Sequence, residues 1–170
     1  MKVKIPITTN ALCVDASCTG NPGIMEYRAV DLKSWKEVFR SPIYKMGTNN
    51  IGEFLAIYEA IRYIEKLEKK AKKTKNLKAS LRKEVPNEGE AEDLKRQHRY
   101  ECIFTDSETA LAWMRSKKIK TTLEYTKETK ELLTKLQDAL TRIKTHDFTI
   151  PIRKRETEIR GEIPADFDRK

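Results

Sequence analysis

Four acidic residues, Asp15, Glu53, Asp106 and Asp166, stand where apolar strand-like runs end or helices begin. Carboxylates far apart in a chain but placed at element ends can converge on one edge of a sheet. Side by side they repel one another unless positive charge lies between them, and hard divalent cations with oxygen ligands are the usual counter-charge. A carboxylate cluster holding two such ions is machinery for in-line displacement at phosphorus, the chemistry that cuts or joins phosphodiesters.

An ordinary reading competes for each acid. Asp15 opens the string Asp15-Ala16-Ser17-Cys18-Thr19-Gly20-Asn21-Pro22-Gly23 and reads equally as a turn former. Glu53 lies three residues after a candidate N-cap, Asn50, as the acid of a capping box does. Asp106 reads as the N-cap of a helix beginning at Ser107. Asp166 alone is a surface acid.

The elements that must bring these acids together follow from apolar periodicity. Leu12-Cys13-Val14 is a short buried strand ahead of a Gly/Pro turn. Residues Tyr27 to Leu32 and Lys36 to Tyr44 are rich in β-formers around a polar break and read as a hairpin. Ile51, Phe54, Leu55, Tyr58, Ile61 and Ile64 share one face of a helix spanning Ile51 to Leu67. Strand Tyr100 to Thr105, helices Ser107 to Met114 and Lys127 to Lys144, and strand Phe148 to Ile152 follow. Pro151 cannot donate a ladder hydrogen bond, which places the last strand at an edge. A hairpin followed by helical crossovers gives a mixed sheet with helices on its faces. If the strand ending at Thr105 pairs parallel to the first, Asp15 and Asp106 meet at its carboxyl end, and the helix carrying Glu53 packs back beside them.

Composition frames the rest. The 170 residues suit one domain, 38% hydrophobic and 36% charged, and a net charge of +9 favours a polyanionic partner. Lys66 to Lys83 holds nine basic residues against Glu68 alone, and Glu84 to Asp93 then holds five acidic residues and no basic one. This stretch reads as a helix extension running into a charged insertion at about 70–99 of a single 1–170 domain. Three cysteines, Cys13, Cys18 and Cys102, read as reduced thiols, with Cys13 and Cys102 in the core. Met1-Lys2-Val3-Lys4-Ile5-Pro6 lacks a signal-peptide core, and no apolar run is long enough to span a membrane. The expectation is a soluble, cytoplasmic protein.

Asp15 to Gly23, then Thr48-Asn49-Asn50-Ile51-Gly52-Glu53, then Thr105-Asp106-Ser107 resemble the three signature segments of type 1 ribonuclease H (ribonuclease HI) in order and rough spacing. Gly161-Glu162-Ile163-Pro164-Ala165-Asp166-Phe167 is similar to the fourth. The resemblance spans the chain apart from residues 66–99. It implies an α/β, ribonuclease H-like fold: a five-stranded mixed sheet in the order 3-2-1-4-5, flanked by helices. It also implies hydrolysis of the RNA strand of RNA–DNA hybrids, leaving 3′-hydroxyl and 5′-phosphate ends. The implied cofactor is a pair of Mg²⁺ ions, for which Mn²⁺ substitutes. By position, Asp15 bridges both ions, Asp166 helps hold the one that activates water, and Glu53 and Asp106 hold the one beside the leaving 3′-oxygen. Gly20, Asn21, Asn49 and Asn50, with Glu53, would meet 2′-hydroxyls in the minor groove. Thr48 would grip a phosphate of the DNA strand. The implied partner is the hybrid alone, with no membrane, no obligatory protein partner and a monomeric chain.

The chain departs from the family pattern in three places. The basic, tryptophan-rich handle of many relatives is reduced to Lys117, Lys118 and Lys120, with Trp113 reading as core. Residues 153–165 hold no histidine to assist proton transfer or product release, since His98 and His146 lie elsewhere, so either Glu156, Glu158 or Glu162 takes part of that role or the step is unassisted. The sequence ends at Lys170, so the last helix is one turn at most and Asp168 is a fallback ligand to Asp166. Two alternatives remain at this level: another nuclease or strand-transfer enzyme on the same fold, or a catalytically silent nucleic-acid-binding module working through residues 66–99.

Overall fold

The computed structural model describes residues 10–81, 99–155 and 165. Among the described residues six strands make one mixed sheet: β1 (Ala11–Gly20), β2 (Gly23–Asp31), β3 (Glu37–Arg40), β4 (Tyr44–Gly47), β5 (Cys102–Thr105) and β6 (Ile152–Lys154). They lie in the order β3-β2-β1-β5-β6, with β4 also paired to β2. β2 runs antiparallel to β1, β3 and β4, whereas β1–β5 and β5–β6 are parallel. This is the expected order, except that the third strand is divided and the expected five strands become six. Pro42 has no N–H to offer the ladder. Beside it, Ser41 takes over: its N–H donates to Tyr27 O at 2.8 Å and its Oγ accepts from Tyr27 N at 2.9 Å.

Among the described residues three helices, α1 (Asn49–Leu81), α2 (Glu108–Ser116) and α3 (Lys130–Thr145), pack on one face of the sheet. Strand alternation explains the division of the core. Leu12, Val14, Ala16, Met25, Tyr27 and Ile103 face the helices. Ala11, Cys13, Val30, Cys102 and Phe104 face the other way and bury Ala165. Trp113 is core, as expected, packing edge-on against Phe54 with ring centroids 6.0 Å apart.

Several boundaries differ from the sequence reading. β1 continues past Val14 to Gly20, because every residue from Leu12 onward pairs with β2, so Asp15 lies inside a strand rather than at its end. α1 begins at Asn49, so Asn50 is not its cap. Thr48 is: its Oγ1 accepts from Ile51 N at 3.4 Å and its carbonyl from Gly52 N at 3.0 Å. α1 also outlasts its apolar stripe, whose last buried residue is Ile64, and runs to Leu81 on good helix formers. The last strand lies later than Phe148–Ile152. Phe148 and Ile150 pack against the core outside any strand, and Pro151 lends only its carbonyl, to Ile103 N at 3.0 Å. β6 is at the sheet edge, as expected, with Pro151 just ahead of the strand rather than in it. No helix among the described residues is long and apolar enough to cross a membrane.

Candidate metal centre

β1 and β5 pair in parallel with Ala11 opposite Cys102, Leu12 opposite Ile103 and Cys13 opposite Phe104. The same offset carried two residues further sets Asp15 across from Asp106. β5 stops at Thr105, whose Oγ1 accepts from Ser107 N at 3.2 Å and so shapes the turn that carries Asp106. Asp106 does not cap α2. Ser107 does, its Oγ accepting from Ala110 N at 3.1 Å, so the Asp106 carboxylate is not committed to the cap.

Glu53 comes from the first turns of α1, and its approach depends on Gly52. A Cβ at Gly52 would lie 2.7 Å from Ala16 Cβ and 3.0 Å from Met25 Sδ, so only glycine lets the helix rest this close to β1. From there Glu53 Oε1 accepts from Ala16 N at 3.2 Å, across the sheet and not within a capping box. Oxygen atoms of Asp15, Glu53 and Asp106 all lie within 4.8 Å of one another. Asp15 and Glu53 are 5% and 3% exposed, while Asp106 is open to solvent, so the cluster has a buried floor and an accessible lip.

Burial drives the Glu53 carboxyl well above the ordinary range. Its neighbour Asp15 adds to the shift through proton sharing and repulsion, Asp106 adds repulsion, and the Ala16 N–H opposes it. Glu53 Oε2 is buried and meets no hydrogen-bond donor among the described residues, so it is satisfied only by a proton shared with Asp15 or by a cation. The donor set is all oxygen, which suits a hard divalent cation. Thiol chemistry is a poor competitor here, because burial pushes the Cys13 thiol up to about 12.

The residues expected to meet substrate gather where the β1–β2 hairpin meets the start of α1. Gly20 and Asn21 form the exposed tip of the β1–β2 hairpin, with Gly20 at φ +87°, a conformation that favours glycine. Gly23 of that hairpin pairs with Gly47, the residue before Thr48. Cys18 Sγ lies 2.8 Å from Gly20 O and 3.4 Å from Gly47 O, tying the hairpin to the start of α1. Thr48 and Asn49 are partly exposed and Asn50 fully so.

Asp166 lies outside the described residues, as do His98, Glu156, Glu158, Glu162 and Asp168. Its neighbour Ala165 is fully buried, and its carbonyl accepts from Arg28 Nε at 2.7 Å. Arg28 stands directly opposite Asp15 in the β1–β2 register. Sequence reasoning did not single out Arg28, Gly52 or Arg155, which is 3% exposed and whose N–H donates to Thr105 O at 2.7 Å. A charged residue in an otherwise alternating strand was the available signal for Arg28. Gly52, beside an acid at a helix start, had a comparable one.

The fold and site together define a cluster of three carboxyl groups, compatible with a divalent cation, on the parallel β1–β5 pair of a mixed α/β sheet. No family model matches the chain. Among solved structures it is similar to LC11 ribonuclease H1, isolated from compost by a metagenomic approach (19% identity, 91% of this chain and 89% of that one, TM-score 0.45). The LC11 ribonuclease H1 complex with an RNA/DNA hybrid (17%, 87% and 86%, TM-score 0.42) is another similar structure. A third is ribonuclease H1 of the halophilic archaeon Halobacterium salinarum (14%, 86% and 85%, TM-score 0.39).

Proposed function

We propose that this chain is a metal-dependent endoribonuclease that hydrolyses the RNA strand of RNA–DNA hybrids and leaves 3′-hydroxyl and 5′-phosphate ends. One observation carries the reading: acids from three distant segments, each within a motif resembling type 1 ribonuclease H, meet within 4.8 Å. Asp15, Glu53 and Asp106, with Asp166 as the fourth, would hold two Mg²⁺ ions, and Mn²⁺ would serve as well on oxygen ligands. When bound, divalent cations supply an activated water and offset the charge that develops on the phosphodiester. The chain's own contribution is to hold the carboxyl groups of Asp15, Glu53 and Asp106 together before substrate arrives. Glu53 gives up its shared proton as the site is filled, so metal affinity rises with pH.

Discrimination falls to the β1–β2 hairpin and the start of α1. Gly20, Asn21 and Asn50 are exposed and Asn49 partly so, and their backbone and amide groups are of the kind that would meet 2′-hydroxyls, which both donate and accept. Thr48 already spends its Oγ1 on Ile51 N, yet its partly exposed hydroxyl proton remains to donate to a DNA-strand phosphate. The net charge of +9 supports backbone affinity without sequence preference.

The test is cleavage of matched hybrid, double-stranded RNA and double-stranded DNA, each with and without Mg²⁺, by the native chain and by Asp15→Asn. The expected result is Mg²⁺-dependent cleavage of hybrid alone, lost in Asp15→Asn with hybrid binding retained. Full activity in the variant refutes the site, and preferential cutting of double-stranded DNA refutes the substrate.

A further inference from the structure

The second half of α1 plays no part in the carboxylate site. Beyond Ile64 the helix buries nothing, and from Glu68 to Leu81 every residue is exposed. Residues 66–81 carry seven lysines against one acid, Glu68. Lys66, Lys69, Lys70 and Lys73, at i, i+3, i+4 and i+7, share one face, and Lys72, Lys75 and Lys78 occupy the others. None of the seven has a carboxylate partner among the described residues. Like charges at these spacings repel and weaken a helix that has no packed face to hold it. A counter-charge of matching extent relieves that repulsion.

We propose that residues 66–78 of α1 form an electrostatic arm that grips the sugar–phosphate backbone of a nucleic-acid duplex without reading its sequence. The seven charges are spread over about 18 Å of helix axis, about one per 2.6 Å, which lies between the spacing of phosphates along one strand, about 3.4 Å, and that of both strands of a duplex, about 1.7 Å. A membrane surface fits poorly, because an interfacial helix needs a continuous apolar face, and within α1 the only large apolar side chains after Leu67 are Leu77 and Leu81. The arm is remote from the acids. Along the helix axis Lys66 lies about 20 Å from Glu53 and Lys78 about 38 Å. It therefore sets affinity and salt dependence and leaves the chemical step alone. The inference rests on the proposed function for its choice of a hybrid as substrate, but binding by the arm is measured without cleavage.

The experiment uses the full chain and a variant with Lys69→Gln, Lys70→Gln, Lys72→Gln, Lys73→Gln and Lys75→Gln, exposed positions where glutamine keeps helix propensity. Anisotropy in EDTA follows binding of 20-base-pair hybrid and of double-stranded DNA between 50 and 200 mM salt. The native chain should bind both steeply with salt. The variant should lose about 0.9 of log–log slope per phosphate contact removed, hence roughly two to four units, with a 10- to 100-fold loss of affinity. Saturated hybrid cleavage in Mg²⁺ should stay within twofold of native, and helical circular dichroism of the native chain should rise on adding duplex. An unchanged slope overturns the arm, as does a mutational loss confined to phosphatidylserine vesicles. Arm-dependent binding without any cleavage would overturn the ribonuclease reading and keep the arm. Cleavage with an unchanged slope would do the reverse.

Discussion

Replacing Gly52 with alanine tests how the site is assembled, because this residue does no chemistry itself. The added Cβ would lie 2.7 Å from Ala16 Cβ, and ordinary contact begins at 3.4 Å, so the helix start must retreat by the difference, about 0.7 Å. Met25 can swing its flexible side chain aside, but Ala16 is fixed in the central strand. Alanine in a helix gains up to about 1 kcal/mol over glycine, and overpacking a tight contact costs about 1–3 kcal/mol. The net loss of stability is therefore about 0–2 kcal/mol. Function should suffer far more. The bond from Ala16 N to Glu53 Oε1 is already 3.2 Å long, and a retreat of this size breaks it. Misplacing a reacting constellation by about 1 Å costs on the order of 100-fold, so hybrid cleavage should fall about 10- to 100-fold while urea denaturation shows a modest change. Ala16→Gly in the same chain opens the space again and should restore most of the activity. A Gly52→Ala protein that is stabilised by about 1 kcal/mol, as helix propensity alone dictates, and fully active would refute the close-approach argument.

Three further outcomes follow from the same geometry. The Glu53 carboxyl is raised by burial, so above 4.5 and up to its folded pKa the native chain holds a proton that the unfolded chain has lost. The metal-free protein should accordingly lose stability as pH rises through that window, and Glu53→Gln should flatten the dependence. Denaturation series in EDTA that stay parallel for both proteins would contradict this. Ser107→Ala removes the α2 cap and should cost about 1 kcal/mol; it also invites Asp106 to cap in its place, so the Mg²⁺ concentration for half-maximal cleavage should rise. An unchanged denaturation midpoint would argue against the capping role. Trp113→Ala should cost about 3–5 kcal/mol, read by thermal unfolding, whereas Trp113→Phe should keep most of the stability. A loss of hybrid affinity without loss of stability would mark Trp113 as a base platform instead.

Local pattern made much of this molecule legible. Helical apolar spacing identified the sheet-facing stripe of α1 ending at Ile64, β-forming residues around a polar break identified the hairpin, and residue type pointed to Trp113 as core. Pro151 placed the last strand at an edge because a missing N–H is a property of one residue. The acids Asp15, Glu53 and Asp106 were recognisable from their motifs. Whether each was merely a cap or a turn former was not, since those readings depend on which neighbour takes the role. Thr48 and Ser107 supply the caps, and Glu53 spends its oxygen on Ala16 N instead. The extent of β1 was also hidden: Ser17 to Gly20 are strand only because β2 pairs with them. Only the tertiary structure decided that the parallel register of β1 with β5 and the glycine contact under α1 draw three anions together. Such proximity is settled by packing between residues far apart in the chain, and no stretch of sequence read by itself contains the distance.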